Sequence, residues 1–290
     1  ISLSAGIKPI QNHELILDYQ NYKATDVGVP GGSVFPNSAV VKYPSHKRDM
    51  ASVEYHITSL ASFLPKVSLK YYNQNIYREV ENIPNSVVTD LVNRRRTTVL
   101  SILPYGRHFS NGAQLQTDWL ISKTNFLIAG LDVWQRNLDS RRQRNIKIET
   151  FDSTWTNVLT TTNRTFGEHP LPEAKYRSIG AFTQIESKMF EDKLSLTIGG
   201  RFDQINIKSN DVFNPVYIIT NGVRSDNPPD SLIYAASDEN NNSWGGNIGL
   251  IYFIDNNFNV SFTAAHSFRS PSPEERFQFI DQGNIVRFGN

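Results

Sequence analysis

Apolar and polar residues alternate with a period of two along most of the chain, the mark of a strand with one apolar and one polar side. Between residues 193 and 203, Leu194, Leu196, Ile198, Gly200 and Phe202 fall on one face, and Ser195, Thr197, Gly199, Arg201 and Asp203 on the other. Residues 244–254 repeat this with Trp244, Ile248, Leu250, Tyr252 and Ile254, and residues 258–268 with Phe258, Val260, Phe262, Ala264 and Phe268. Earlier segments around Leu15, Val53, Leu69, Leu115, Leu131 and Ile179 follow the same rule. With residues 1–7 included, the pattern predicts ten strands. The opposite faces carry Asp18, Glu54, Lys70, Asp118, Asp132, Glu186, Arg201 and Asp203, so they must meet water or a polar filling.

The connections separate a soluble sheet from a membrane sheet. Short turns are expected near residues 9–12, 60–64, 122–124, 188–192 and 255–257. Between them lie long connections near 23–47, 80–108, 138–174, 208–242 and 268–290, rich in Asn, Asp, Pro, Gly and Arg. A compact soluble domain rarely carries a series of long structureless loops on one edge of its sheet. Outer-membrane barrels do so by construction, with short periplasmic turns and long extracellular loops. Tyr19, Tyr55, Tyr71, Trp119, Trp244 and Tyr252 lie on the apolar faces, where amphipathic rings suit the headgroup level, although strand propensity alone also favours such rings.

Composition narrows the choice. The chain has 290 residues with 29 Lys and Arg against 28 Asp and Glu, a net charge of +1. That balance argues against a nucleic-acid partner, whose footprint is a concentrated basic excess. No run approaches the length of about 18 apolar residues that a transmembrane helix needs. With no Cys, disulfides, zinc-cysteine sites and thiol catalysis are excluded together. Aromatics make up 11% and there are 28 Asn, a mixture that suits an all-β protein with polar connections. The chain opens on a strand-like Ile1-Ser2-Leu3 with neither initiator Met nor signal peptide, and it stops after an apolar stretch. It therefore reads as a fragment of a longer protein.

Ser267-Phe268-Arg269-Ser270-Pro271-Ser272-Pro273-Glu274-Glu275-Arg276-Phe277, followed by Gly289-Asn290, resembles the FRAP-box segment of the TonB-dependent outer-membrane receptors and the opening of the Asn-Pro-x-Leu box after it. Secondary matches are Gly180-Ala181-Phe182-Thr183-Gln184, Gly199-Gly200-Arg201-Phe202-Asp203, Gly130-Leu131-Asp132-Val133-Trp134 and Asp26-Val27-Gly28-Val29-Pro30-Gly31-Gly32. Together they span most of the chain in the family's order. The resemblance implies a transmembrane antiparallel barrel of 22 strands with an N-terminal plug, of which this stretch holds about ten middle strands and neither plug nor TonB box. It also implies import of an iron-siderophore or haem across the outer membrane of a Gram-negative bacterium. The work is supplied by the TonB-ExbB-ExbD complex through the missing N-terminal region, because a lumen that wide must be plugged. No cofactor performs chemistry in such a cycle.

Candidate ligand-binding residues follow from that resemblance. Arg269 is expected at the extracellular rim where Pro271 and Pro273 stop ladder pairing, with Glu274, Glu275 and Arg276 forming a charged rim beside it. His46, His108 and His169, in expected loops, are candidate haem-iron ligands, weighed against ordinary solvated histidines. Residues 270–288 contain no His, a departure from many haem importers. The basic clusters at Lys47-Arg48, Arg94-Arg95-Arg96 and Arg141-Arg142 with Arg144 suit anionic chelates, haem propionates or the phosphates of lipopolysaccharide equally well. A passive porin shares the alternation but has no use for the segment from Phe268 to Phe277, and a soluble β-sandwich adhesin is a third reading. An enzyme is disfavoured, since neither H-E-x-x-H nor G-x-S-x-G occurs and the adjacent His266 and Ser267 point to opposite faces.

Overall fold

The computed structural model describes residues 1–28, 39–84, 86–255, 257–277, 279–281 and 286–288. Residues 29–32 of one motif, the turn residue Asn256, and Gly289-Asn290 lie outside the described residues. In chain order the first strands are β1 (Ser2–Ile7), β2 (His13–Gly28), β3 (Val40–Ala61), β4 (Leu64–Glu79), β5 (Glu81–Ile83) and β6 (Val87–Asp90). Then come β7 (Arg95–Leu120), β8 (Asn125–Phe151), β9 (Val158–Glu168), β10 (Ala174–Met189), β11 (Leu194–Ser209) and β12 (Val212–Asn214). The last are β13 (Tyr217–Thr220), β14 (Val223–Ser225), β15 (Ser231–Tyr234), β16 (Ser237–Phe253), β17 (Asn259–His266), helix α1 (Pro273–Arg276), β18 (Phe279–Asp281) and β19 (Val286–Phe288).

The main sheet runs in the order β1-β2-β3-β4-β7-β8-β10-β11-β16-β17, with every neighbouring pair antiparallel. These are the ten strands expected from the alternation, in sequence order and joined by the expected short turns. The other two sheets among the described residues, β12-β15 and β18-β19, have two strands each and are too small to be the second layer of a β-sandwich.

The outer face shows where lipid ends. Tyr71, Ala113, Val133 and Ile179 are successive cross-strand partners, and the next outward residues on the same strands, Asn73, Asn111, Gln135 and Arg177, are again successive partners. Further round, Phe202 pairs with Trp244 below the border and Gln204 with Asn242 above it. On the other side Tyr19 pairs with Ala51 and Asn21 with Asp49. Leu69, Leu131, Ile179, Phe202, Trp244 and Phe262 are all exposed, as a lipid-facing band requires. From the border to the turn, for example from Phe202 to Leu194, each strand supplies roughly the 9–11 residues that cross a bilayer at a tilt. Rings cluster near the turn end, where Phe63 stacks on Trp119 at 6.0 Å and His13 Nδ1 lies 2.5 Å from the Tyr55 hydroxyl.

Above the border the structure differs from expectation. Much of the stretches read as loops is strand, because β3, β7 and β8 run for 22, 26 and 27 residues. The β7–β8 ladder climbs to the Arg95 and Thr150 pair, roughly 50 Å of strand above the border at about 3.3 Å per residue. Polar alternation such as Arg95 to Arg107 is as compatible with a two-sided wet ladder as with a loop, since outside lipid nothing demands an apolar face. The small strands β5, β6, β9, β13 and β14 add to these extensions, while β12 and β15 pair with each other in a separate two-stranded sheet.

Candidate functional site

The segment after β17 turns back across the polar side of the sheet, the side that carries Asp132, Arg201 and Asp203. Ser272 starts α1 with a reciprocal capping box: its hydroxyl accepts from the Glu275 N–H at 3.3 Å, and the Glu275 carboxylate accepts from the Ser272 N–H at 2.7 Å. Pro273 opens the helix, needs no amide partner there, and is fully buried. Arg269 donates both terminal nitrogens to Glu275 at 2.9 and 2.7 Å. That fork, and then the Ser272 N–H, hold the Glu275 carboxyl down at about 2, and the same pairing raises the Arg269 guanidinium.

The neighbours of α1 tie it to the wall. Glu274 accepts from Arg136 of β8 at 2.9 Å and lies 3.5 Å from His108 Nδ1 of β7, while Arg276 pairs with Glu239 of β16. Phe277 enters a buried cluster with Tyr176, Ile205 and Ile207, flanked by Trp134, Leu171 and Tyr234. Trp134 stacks on Tyr176 at 5.0 Å, and Tyr234 meets Phe277 edge-on at 5.8 Å. The charged residues of the inward faces were expected to meet water or a polar filling. On β8, β10 and β11 the upper inward wall also carries Trp134, Tyr176, Ile205 and Ile207, apolar residues among polar ones such as Arg136 and Ser178, and there a folded segment rather than water covers it.

Just below, three of the secondary motifs form one cluster. Asp132, Gly180 and Asp203 are successive cross-strand partners, as are Gly130, Phe182 and Arg201. Arg201 donates to Asp132 at 2.6 and 3.1 Å and to Asp203 at 2.8 Å, with its guanidinium 6.0 Å from the Phe182 ring. A Cβ at Gly180 would meet Arg201 and Asp203, and one at Gly130 would meet Phe182, so glycine makes room for both packings.

The sequence-based candidates scatter. His46 sits on β3 rather than in a loop, its ring 5.5 Å from Tyr22 and 6.3 Å from Tyr43. His108 sits on β7 beside Glu274. His169 follows β9, with its backbone N–H donating to the Asn214 side chain at 2.8 Å and its carbonyl accepting from the same side chain at 2.9 Å. Among the described residues no group of three or more His, Asp or Glu side chains is placed to hold a metal ion. Arg141 and Arg142 are on β8 rather than in a loop, and they face opposite ways. Arg141 is outside beside Asp139 at 3.3 Å, whereas Arg142 is buried against Glu168 at 2.7 Å. Glu275 and Arg269 come together, but with each other. Sequence reasoning missed Tyr176, Ile205 and Ile207, although apolar residues on the polar parity were the available signal.

One antiparallel sheet with a lipid-facing outer band, short turns at one end and tall extensions at the other defines a β-barrel of the Gram-negative outer membrane. The chain belongs to the TonB dependent receptor-like, beta-barrel family, which it matches over residues 7–289. This is a family of receptors rather than enzymes. Its fold is similar to the solved copper transporter OprC, with a TM-score of 0.61 at 13% identity over 95% of this chain and 38% of that one. It is also similar to the ferric-catecholate import receptor Fiu from E. coli K12 in its open form, with a TM-score of 0.51 at 11% identity over 94% of this chain and 47% of that one. The chain thus spans less than half the length of either. No curated protein matches it by sequence.

Proposed function

We propose that these strands form part of a receptor that captures a scarce nutrient, an iron-siderophore or haem, and imports it through work delivered by the TonB-ExbB-ExbD complex. The observation that carries this reading is the folded segment at Ser267–Phe277, packed on the lumenal wall through Phe277 and the Glu274 contacts. A passive pore keeps its lumen open to water, whereas here the lumen carries built structure beneath strand extensions tall enough to present ligand contacts. Family membership supports the same reading, as does the iron-chelate function in the name of Fiu.

The test uses the full-length receptor in its own cells. A deletion strain is grown on a ferric siderophore or haem as sole iron source, and radiolabelled uptake is followed with and without an active TonB complex. TonB-dependent uptake restored by the wild-type gene is expected. Influx that persists without TonB and is linear in concentration would instead define a pore.

A further inference from the structure

We propose that the inner wall of β2, β3 and β4, above the lipid border, holds the imported molecule, and that this molecule is an iron-carrying flat aromatic dicarboxylate of the porphyrin kind. The inference rests on the transport reading above and chooses between its two ligand classes. Tyr22 and Arg48 are cross-strand partners on the inward parity, and His46 and Arg78 are partners two residues further up the same face. His46, Arg48 and Arg78 therefore stand within roughly 7–8 Å of one another, the spacing of same-face and diagonal neighbours. The Tyr22 ring meets His46 edge-on at 5.5 Å, and Tyr43 lies 6.3 Å from His46 and 5.9 Å from the Arg78 guanidinium.

The charge on this wall differs from that on the covered one. Arg136, Arg142 and Arg276 each have a carboxylate, from Glu274, Glu168 and Glu239 in turn. Arg48 instead donates to the Met50 sulfur at 3.2 Å, a weak acceptor, and Arg78 has the Tyr43 ring; neither has a carboxylate within ion-pair distance among the described residues. A guanidinium takes a carboxylate through a planar fork, so two unpaired ones on one face suit a ligand with two carboxylates. Tyr22 is 51% exposed and, with Tyr43, offers stacking area to a flat ring. His46 decides which flat anion fits. It has ring contacts but no hydrogen bond or ion pair among the described residues, which leaves its imidazole open to a metal. A siderophore fills every position on its iron with its own oxygens and has no use for that nitrogen. A porphyrin leaves the axial positions of its iron open, and a histidine is the ordinary ligand there. Residues 270–288 contain no His, so the wall and not the folded segment supplies the imidazole.

Equilibrium titration of the purified full-length receptor in detergent, without the TonB complex, tests the site with three probes: haem, metal-free protoporphyrin and a ferric tris-catecholate. Wild type is expected to bind haem most tightly, the metal-free ring less tightly and the catecholate least. Arg48→Gln with Arg78→Gln should weaken haem and the metal-free ring alike, about ten-fold or more, as loss of charge-assisted contacts does. His46→Ala should weaken haem and change the absorption spectrum of the bound iron while leaving the metal-free ring unaffected, a split that a merely structural histidine would not give. The single variant at the exposed Arg78, with an intermediate loss, serves if the double variant assembles poorly. Haem binding and spectrum unaltered by these substitutions, or catecholate bound as tightly as haem, would overturn the proposal. Because no step here needs TonB, uptake that proves independent of TonB sinks the transport reading without touching this result, so the two failures are told apart.

Discussion

The wall made by β8, β10 and β11 and the wall made by β2, β3 and β4 have the same alternation and the same lipid border, yet they differ above it. On β10 the inward residues Ala174, Tyr176, Ser178 and Gly180 are all buried, while β2 from Gln20 to Gly28 has no buried residue. The difference is what covers each wall. Phe277 and α1 lie on the first, and their contacts convert the inward parity from solvated to packed. A barrel strand is therefore two different objects along its length: within lipid its outer face is fixed by the hydrocarbon, and above lipid its inner face is fixed by whatever folds onto it.

Truncating Phe277 to Ala should break this contrast most strongly. It empties the centre of the Tyr176, Ile205 and Ile207 cluster, and a buried Phe to Ala change costs about 3 kcal/mol. The expected outcome is rapid proteolysis within the segment on intact cells, with the barrel below still resistant to heat in electrophoresis. Tyr43→Ala on the uncovered wall should leave the proteolysis pattern unchanged. If both variants behave alike, the two walls are equally packed.

Within lipid the decisive face is the outer one. Leu196→Arg places a charge near mid-membrane and should cost about 2–4 kcal/mol, impairing assembly, while Thr197→Arg faces the lumen and should cost less. Folded yield in the outer membrane, read by heat-modifiable migration, compares the two. A larger loss for Thr197→Arg would reverse the facing derived for β11.

The lower barrel was legible in the sequence because hydrocarbon imposes one rule on every strand, so that Leu196, Ile198 and Phe202 announce a strand and its facing together. Above the border that rule lapses. Asn206 and Asn240 to Asn242 look like loop residues, yet they pair in a ladder wet on its outer side, where asparagine side chains hydrogen-bond across strands as Asn206 does with Asn240 at 3.0 Å. The three glycine motifs were individually weak because each contributes only part of the Arg201 cluster, which exists only once β8, β10 and β11 stand side by side. The packing of Phe277 was out of reach for a further reason. Its partners lie on elements far from it in sequence, and only Ile205 and Ile207 on a polar parity hinted that something covers them.

The smallest expected effect concerns the fork between Arg269 and Glu275, which sits on the exposed side of the same segment. The Glu275 carboxyl is held at about 2, below its ordinary value near 4.5, first by Arg269 and then by the Ser272 N–H. A depressed carboxyl contributes stability that is complete above its unfolded value and is lost as pH falls through the folded one. Protease resistance of the segment in wild type should therefore stay flat from pH 8 to about 5, then decline toward pH 2. Glu275→Gln should lose this acid dependence while beginning from a slightly lower resistance at neutral pH. Because both groups are exposed, Phe277 should still hold the segment in place, and the loss should be much smaller than for Phe277→Ala. Under the proposed transport role, Arg269→Ala should lower uptake of a radiolabelled ferric chelate more than it lowers surface binding, with receptor abundance matched by antibody, since Arg269 shapes the segment through Glu275. Equal losses of binding and uptake would make Arg269 a direct ligand contact, and no change in either would leave the fork a purely local brace.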